Sequence, residues 1–303
     1  MKIFLTGGTG VIGTRALPAL VAGGHQVTAV ARGDAKADVV RSFGGEPVAI
    51  DLFDAAAVAE AVVGHEAVIH LATHIPPMTK AARAGAWATN ERLRTEAAAH
   101  LVDAALSAGA ARYVQESICF PYQDAGDRWI HEDHPVDHVG PFAGAAAAEA
   151  SAGRFAEAGG AGVVLRFAQF YAPDSSHTQT FNAMLRRRVN PFLGEPDGYT
   201  SFVHAEDAGA AVAAALRAPS GIYNVVDDEP VTRAEAGRIA AAALGVKPPR
   251  SVPRVLRAAS PASGKLLMRS LRVSHDRFTA ATGWHPSHPS IREGWSTTVE
   301  VPA

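Results

Sequence analysis

The stretch TGGTGVIG at residues 6–13 decides the fold, because it places Gly7, Gly10 and Gly13 three residues apart. It follows a short apolar run at residues 2–5 and opens a helical pattern over residues 11–22. In such a strand-turn-helix unit the first glycine permits the sharp turn. The second lets the backbone approach a pyrophosphate, and the third lets the helix pack close to the strand. The helix N-terminus then offers free amides to the phosphates. We therefore expect a dinucleotide to be bound by Gly7, Thr9, Gly10, Val11, Ile12 and Gly13.

Outward from this turn, short apolar runs alternate with helical patterns through the first two thirds of the chain. Almost wholly apolar strands that alternate with helices are typical of a parallel sheet covered on both faces. The fold class expected is therefore α/β, a Rossmann-type doubly wound parallel sheet with a smaller C-terminal substrate lobe. The predicted strands are residues 2–5, 26–31, 47–50, 67–71, 112–116, 162–167, 201–203 and 221–226. The predicted helices are residues 11–22, 54–63, 91–108, 206–217 and 233–243.

The alternation of apolar runs and helical patterns is interrupted after residue 171, where Pro, Ser, Asn and Arg become frequent. We interpret residues 172–200 as an irregular insertion. Residues 1–171 with 201–226 are predicted to form the dinucleotide-binding domain, and residues 172–200 with 227–303 the substrate-binding lobe.

The residue that ends the second predicted strand indicates which dinucleotide is bound. NAD-preferring sites usually carry an acidic residue there for the ribose diol, whereas this chain has Arg32, with Lys36 close behind. An arginine can pair with a 2′-phosphate through two parallel hydrogen bonds, and a carboxylate would repel it. The expected cofactor is NADP, with NAD as the alternative.

Composition excludes several functional classes. A net charge of −2 leaves no broad basic surface for nucleic acid or an anionic membrane, and no apolar run is long enough to span a bilayer. A lone cysteine, Cys119, excludes an internal disulfide and fits a reducing compartment. We expect a cytoplasmic protein whose partner is a small-molecule substrate.

Several further segments, together with the glycine turn, resemble the extended short-chain dehydrogenases/reductases, also described as epimerase/dehydratase-like proteins. Asp51 and Leu52 are similar to the acidic step after strand three that holds the adenine. The segments at residues 165–173, 202–207, 221–225 and 282–294 also resemble signatures of that family, so the resemblance covers nearly the whole chain. It implies that the cofactor is further lined by Asp51, Leu52, Leu71, Ala72, Thr73, Asn90, Phe167 and Phe170.

One element departs from the family pattern. The resemblance implies a serine after strand five, which Ser117 matches, and a Tyr-x-x-x-Lys motif on the following helix. That helix is expected near residues 141–155, which contain neither tyrosine nor lysine, and the motif positions fall on Phe142 with Ala146 or on Pro141 with Ala145. The usual acid–base pair is therefore predicted to be absent, as in atypical members of the family.

Three hypotheses follow from this departure. The first is an NADP-dependent oxidoreductase or epimerase-like enzyme with substitute catalytic residues, for which Ser117, Tyr122 and Tyr171 are candidates by position. The second uses a histidine, His74 or the cluster His131, His134 and His138, which is too loosely spaced to predict a metal site. The third is a non-enzymatic NADP-binding sensor, and a non-redox lyase or isomerase on the same fold also stays open.

The substrate class also stays open between two candidates. The basic run at residues 186–188, with Arg187 at its centre, suits the diphosphate of a nucleotide sugar, whereas Phe142 and neighbouring phenylalanines favour an aromatic or polyketide-like carbonyl compound. His74, Phe142 and Arg187 are the predicted substrate-binding residues. The resemblance further implies a possible homodimer through the helix at residues 91–108 and the alanine-rich helix.

Overall fold

A seven-stranded parallel sheet forms the centre of the protein. The computed structural model describes residues 1–77, 80, 83, 85–250 and 266–299. The strands are β1 (Lys2–Thr6), β2 (Gln26–Val30), β3 (Glu46–Val48), β4 (Ala67–His70), β5 (Arg112–Ile118), β6 (Trp129–Ile130), β7 (Ala161–Phe167), β8 (Gln169–Tyr171), β9 (Tyr199–Thr200), β10 (Phe202–His204), β11 (Gly221–Val225), β12 (Val231–Thr232) and β13 (Arg272–Val273). The order across the main sheet is β11-β7-β5-β4-β1-β2-β3.

Helices cover both faces of this sheet. They are α1 (Gly13–Ala22), α2 (Asp34–Ser42), α3 (Ala55–Val62), α4 (Ala88–Arg92), α5 (Ala98–Ser107), α6 (Ala143–Glu157), α7 (Ser176–Arg186), α8 (Ala205–Ala214), α9 (Arg233–Ala243), α10 (Asp276–Thr282) and α11 (Ile291–Gly294). In β1, Ile3 and Leu5 pack into one hydrophobic cluster and Phe4 into a second cluster on the opposite face. The strand is apolar throughout because both its faces are buried. The predicted Rossmann-type fold class is confirmed.

The order of the strands places the glycine turn at the carboxyl edge of the sheet. The chain leaves β3 at one end of the sheet and crosses to β4 on the other side of β1. Such a reversal leaves a crevice beyond the carboxyl ends of the two strands, where ligands bind in open α/β sheets.

A third hydrophobic cluster lies beyond the main sheet and combines separated parts of the chain. Its members come from residues 171–202, 231–241 and 291–295, with Tyr171, Phe202 and Trp295 among the largest. The segment after residue 227 does not all pack with the third cluster. Phe278 and Trp284, which were predicted to belong to the substrate-binding lobe, pack into a hydrophobic cluster of the main sheet. Parts of the predicted lobe, residues 251–265 and 300–303, lie outside the described residues.

The prediction of an irregular insertion over residues 172–200 is wrong for its middle, which forms α7. Ser175 begins this helix, since its hydroxyl accepts a hydrogen bond from the Thr178 amide. Phe181 and Leu185, one helical turn apart, bury its inner face. Asn182 is buried on this helix, whereas Ser176 and Arg186 are exposed on it, and the other Pro, Ser, Asn and Arg residues that suggested a loop lie beyond its ends.

The predicted helix over residues 91–108 contains an unexpected π-helical turn, Leu93–Ala97, between α4 and α5. The buried His70 ring lies 3.0 Å from the Leu93 carbonyl through Nε2 and 2.6 Å from Thr6 Oγ1 through Nδ1. Because a carbonyl only accepts, Nε2 donates and Nδ1 accepts from the Thr6 hydroxyl. Burial lowers the pKa of His70 to about 4. A neutral imidazole therefore ties the end of β1 to the π turn.

α5 and α6 pack side by side, and Arg154 on α6 donates a hydrogen bond to Asp103 on α5 at 2.7 Å. The expected dimer contact through these helices stays a prediction. Among the described residues, no helix combines the length and apolar character needed to cross a membrane.

Candidate active site

Two glycines of the turn are required by close backbone packing. Gly7 has a φ of 76°, and a Cβ there would lie 2.5 Å from the Leu71 carbonyl carbon at the end of β4. A Cβ on Gly13 would lie 2.0 Å from the Gly7 carbonyl oxygen. Both distances are far below van der Waals contact, so neither position tolerates a side chain without a backbone shift.

Gly10 differs from these two glycines because it is exposed and a Cβ there would meet only the Gly7 oxygen, at 3.4 Å. Its missing side chain leaves open space on the outer side of the turn. In the part of the chain that the structure describes, the amides of Val11 and Ile12 donate to no backbone or side-chain acceptor. The start of α1 therefore has free donors and room for a phosphate, which fits the pyrophosphate of a dinucleotide. The role predicted for Thr9 beside them stays a prediction.

Arg32 is the second residue after β2, the strand next to β1, and its side chain is exposed. Lys36 is exposed on the first turn of α2, which the sequence analysis did not predict. No carboxylate within the described ranges pairs with Arg32. Its guanidinium is thus available to an anionic group bound beside the glycine turn.

The residues predicted to line the adenine side of the cleft lie at the ends of β3 and β4. Asp51 is exposed and accepts a hydrogen bond from the Phe53 amide at 3.1 Å, while Leu52 is buried. Asn90, which is 3% exposed, accepts a hydrogen bond from the His74 amide at 3.0 Å. Asn90 therefore holds the segment after β4 in place.

That segment becomes progressively more open as it leaves the sheet. Leu71 is buried, Ala72 is half-buried, and Thr73 and His74 are exposed. At the end of β7, Phe167 is fully buried and its ring centroid lies 5.3 Å from that of the half-buried Phe170. Among the residues assigned to this side, Thr73, His74 and Phe170 are accessible to a ligand.

Ser117, near the carboxyl end of β5, is fully buried, and its hydroxyl donates to Glu149 Oε1 on α6 at 2.7 Å. The same carboxylate accepts two hydrogen bonds from Arg166 on β7, at 2.8 Å to Oε1 and 2.6 Å to Oε2. The next residue along β5, Ile118, is half-buried and apolar. The serine hydroxyl is therefore engaged in anchoring Glu149 and does not point to an open cleft.

Neither candidate tyrosine brings its hydroxyl to the cleft. Tyr122 is fully buried, and its hydroxyl donates to Asn224 Oδ1 at 2.7 Å and accepts from Arg166 Nη1 at 2.8 Å. Tyr171 lies in the cluster beyond the sheet, stacked on Trp295 at 5.4 Å. Burial is the largest influence that raises the pKa of both phenols. The expectation that they donate protons is corrected for this reason, and neither is carried forward.

The helix expected to carry the acid–base pair consists of a 3₁₀ turn, Gly140–Phe142, followed by α6. The motif positions are filled by Pro141, which is half-buried, and Ala145, which is buried, or by Phe142, which is 5% exposed, and the exposed Ala146. Phe142 stacks on Phe120 with ring centroids 5.8 Å apart and planes 15° apart. An apolar wall therefore stands where the resemblance implied an acid.

A buried ion pair that the sequence analysis did not predict lies nearby. Arg94, on the π turn, donates through Nη2 to both carboxylate oxygens of Glu116 at 2.8 Å, and both side chains are at most 5% exposed. Burial raises the pKa of Glu116, while Arg94 opposes that shift. An acidic residue inside an otherwise buried strand was the available sequence signal, because such a carboxylate needs a partner.

Of the remaining candidates, His138 lies near the Ser117 network, with its Nε2 4.0 Å from Glu149 Oε2. Arg187 is exposed at the C-terminal end of α7, with Arg186 and Arg188 exposed beside it. His131 is exposed, while His134 lies 3.2 Å from the Gln123 carbonyl oxygen through Nε2.

A different group of possible metal ligands is formed by His204, Asp207 and His288. Both oxygens of Asp207 already accept hydrogen bonds, from the Ser287 amide and hydroxyl and from the His288 amide and ring. These bonds connect the tail to α8, so we interpret the group as a structural link.

Together, the strand order and the glycine turn define a Rossmann-type protein with a dinucleotide-binding edge. The model of the NAD-dependent epimerase/dehydratase family matches residues 3–226, and the chain belongs to that family. Over 314 aligned residues it is 36% identical to a 3-diazoavenalumate denitrifying reductase from a Streptomyces species, covering 97% of this chain and 99% of that protein.

Solved structures agree with this assignment at the level of the fold. The UDP-glucose 4-epimerase of Thermotoga maritima with UDP-glucose superposes with a TM-score of 0.79 at 19% identity, covering 98% of this chain and 97% of that one. A human epimerase family protein with NADPH gives a TM-score of 0.77 at 21% identity, covering 98% of each chain.

Proposed function

We propose that this protein is an NADP-dependent reductase that acts on a small diazo compound and does so without a Tyr-x-x-x-Lys pair. The observation that carries the proposal is the composition of the helix start: Pro141, Phe142, Ala145 and Ala146 provide no proton donor beside β5. The full-length similarity to a denitrifying reductase of a diazo compound supports this substrate class.

The chemistry of a diazo group explains why an acid is dispensable. Hydride addition to a carbonyl creates an alkoxide. A positioned acid stabilises the charge that develops on its oxygen and accelerates the reaction by roughly 10²- to 10⁴-fold. An aryl diazonium group is already cationic, and hydride addition to its terminal nitrogen neutralises charge. The transition state therefore needs no donor at a developing oxyanion, and an apolar wall such as the Phe120–Phe142 stack is compatible with it.

The residues present fit NADP. The free amides at the start of α1 and the open side of Gly10 suit the pyrophosphate, and the exposed Arg32 suits the 2′-phosphate. When bound, the reduced cofactor supplies the hydride. The protein's own residues hold its phosphates and exclude water with the aromatic pair.

A nucleotide sugar is less well supported as the substrate. The UDP-glucose 4-epimerase of Thermotoga maritima is 19% identical to this chain and the UDP-sugar complexes of MoeE5 are 22% identical, so their likeness extends to the fold alone. The basic run around Arg187 is exposed at the C-terminal end of α7, a helix that packs into the cluster beyond the main sheet. We favour a small aromatic diazo carboxylate as the substrate and expect it to bind near Phe142 and the exposed His74.

The test is a single-turnover experiment with NADPH and three electrophiles: an aryl diazonium carboxylate, the matching aryl aldehyde, and a UDP-4-ketosugar. We expect NADPH oxidation coupled to equimolar N2 release with the diazonium compound, and slower or no oxidation with the other two. Absorbance follows the cofactor, and mass spectrometry follows ¹⁵N-labelled N2.

Oxidation with the ketosugar alone would overturn the diazo assignment. Tight NADPH binding with no oxidation in any mixture would favour a sensor, and turnover of a substrate without net oxidation would favour a lyase or isomerase.

A further inference from the structure

His138 lies on a segment that the rest of the protein holds in place. The preceding residue, Asp137, accepts hydrogen bonds from Arg269 Nη2 at 2.7 Å and from Gln123 Nε2 at 2.9 Å. The Asp137 amide also donates to the Pro121 carbonyl at 2.7 Å. Two residues after His138 the chain enters the 3₁₀ turn that leads to Phe142 and α6. The backbone that carries His138 is therefore anchored at the residue before it, close in sequence to Phe142.

The two nitrogens of this imidazole have different surroundings. Nε2 is buried without a hydrogen-bond partner, and Glu149 Oε2 lies 4.0 Å away. The side chain as a whole is 18% exposed, so a part of the ring other than Nε2 reaches the surface. The ring thus extends from an accessible edge to the buried carboxylate.

Glu149 has capacity for one more hydrogen bond on the side of His138. Its Oε1 accepts from Ser117 and from Arg166, whereas Oε2 accepts only from Arg166 within the described residues. A carboxylate oxygen has two acceptor sites, so one site on Oε2 is free. A protonated imidazole would donate to it after a movement of about 1 Å, which shortens 4.0 Å to normal hydrogen-bond length.

The charges facing His138 come from four elements. Glu149 on α6 and Asp137 on its own segment raise its pKa, Arg166 on β7 and Arg94 on the π turn lower it, and burial lowers it most. The net direction is downward, so the imidazole is neutral at neutral pH and is ready to accept a proton.

We propose that His138 is the proton shuttle of the reductase reaction, with Glu149 and Ser117 as positioning residues. This inference rests on the proposed function. Hydride addition converts the aryl diazonium to an aryl diazene, Ar–N=N–H. His138 takes the N–H proton, the C–N bond breaks with its electron pair left on carbon, N2 departs, and the imidazolium returns the proton to that carbon. The balance is Ar–N2⁺ plus hydride giving Ar–H plus N2, with His138 restored.

His138→Gln tests the shuttle because it removes the titrating group and keeps a polar side chain. His131→Gln is the matched control, since His131 is an exposed histidine on the same loop. In single turnover we expect His138→Gln to oxidise NADPH at the wild-type rate but to release N2 about 10²- to 10⁴-fold more slowly. His131→Gln should leave both steps unchanged.

A second readout needs neither cofactor nor turnover. In the apo protein, ¹⁵N NMR of the imidazoles should show His138 titrating below an ordinary histidine. A non-reactive aryl carboxylate should shift its signals and leave those of His131 in place. Glu149→Gln should lower the pKa of His138 further, because the carboxylate that raises it is gone.

The outcomes separate the two proposals. If the wild-type protein oxidises no NADPH with any diazonium compound, the proposed function fails and the shuttle with it. If the wild type is active and His138→Gln releases N2 equally fast, only the shuttle is overturned. An equal slowing of NADPH oxidation and N2 release also overturns it, because that pattern indicates substrate placement.

Discussion

The glycine turn and the carboxyl end of β5 lie at the same edge of one sheet and are built in opposite ways. The glycine turn is open: its donors are free, and Gly10 faces empty space. The end of β5 is closed: Ser117, Glu149 and Arg166 satisfy one another in a buried network. Binding a dinucleotide thus depends on a short local motif, whereas the neighbouring chemistry depends on residues brought together from distant parts of the chain.

The largest expected effect comes from a substitution that disrupts the open region. Gly13→Ala places a Cβ 2.0 Å from the Gly7 carbonyl oxygen, so the turn must deform. We expect NADPH binding to be abolished in a calorimetric titration. The control is Gly10→Ala, where the Cβ has room in the free protein. It should weaken NADPH binding while the urea unfolding midpoint stays unchanged. Wild-type affinity in Gly13→Ala would contradict the proposed geometry.

The next largest effect is expected from a substitution that disrupts the closed region. Glu149→Gln leaves the Arg166 guanidinium buried without a countercharge, and breaking such a pair costs about 3–5 kcal/mol of unfolding free energy. Urea denaturation measures the loss. Glu96→Gln is the matched control, because its partner Arg92 is exposed, and we expect no measurable shift of its midpoint. Equal stabilities for the two variants would show that the network is not a structural unit.

A pH effect tests the His70 imidazole, which connects Thr6 at the start of the glycine turn to the π turn. The pKa of His70 is about 4 in the folded protein, against 6.5 for a histidine in an unstructured peptide, so the unfolded chain binds more protons between these values. Its contribution to stability is complete above pH 6.5 and is lost as the pH falls toward 4. At about 1.4 kcal/mol per pH unit, the loss amounts to roughly 3 kcal/mol.

His70→Gln should flatten the decline in unfolding free energy between pH 6.5 and 4. A residual slope is expected from His204, whose pKa burial also lowers to about 4. A decline as steep as that of the wild type would show that His70 is not responsible.

The smallest expected effect is a difference between NADPH binding and NADH binding at the open region. Arg32→Ala should weaken NADPH binding about 10- to 100-fold, the equivalent of a charge-assisted hydrogen bond, and change NADH binding little. Arg41→Ala is the control, because Arg41, on the helix α2 that follows Arg32, already pairs with Asp38. Equal losses for NADPH and NADH would remove the assignment of Arg32 to the 2′-phosphate.

The open region could be predicted from the sequence because its physics is local. The three glycines and the apolar runs around them depend on contacts over a few residues or on the two covered faces of the sheet. The boundaries of β1, α1 and α9 follow the predicted patterns within two residues. α2 and α7 were not predicted, because their polar outer faces resemble loops.

The closed region could not be predicted, because it depends on pairs distant in sequence. Ser117 and Glu149 are 32 positions apart, and Arg94 and Glu116 are 22 apart. The sequence showed each of these residues but no partner for any of them. Tyr122 was a candidate donor by position alone, until the contacts with Asn224 and Arg166 accounted for its hydroxyl.

The π turn at Leu93–Ala97 limits the insertions and deletions that this helix can accommodate. A π turn adds about one residue to a helix, which rotates the residues before it by about 100° relative to those after it. That rotation lets Asn90 reach the segment after β4 while α5 keeps its own buried face on the sheet. Deleting one residue here would restore a regular helix and put the two ends out of phase. Length is therefore a constraint on this segment, in addition to the buried ion pair that Arg94 makes with Glu116.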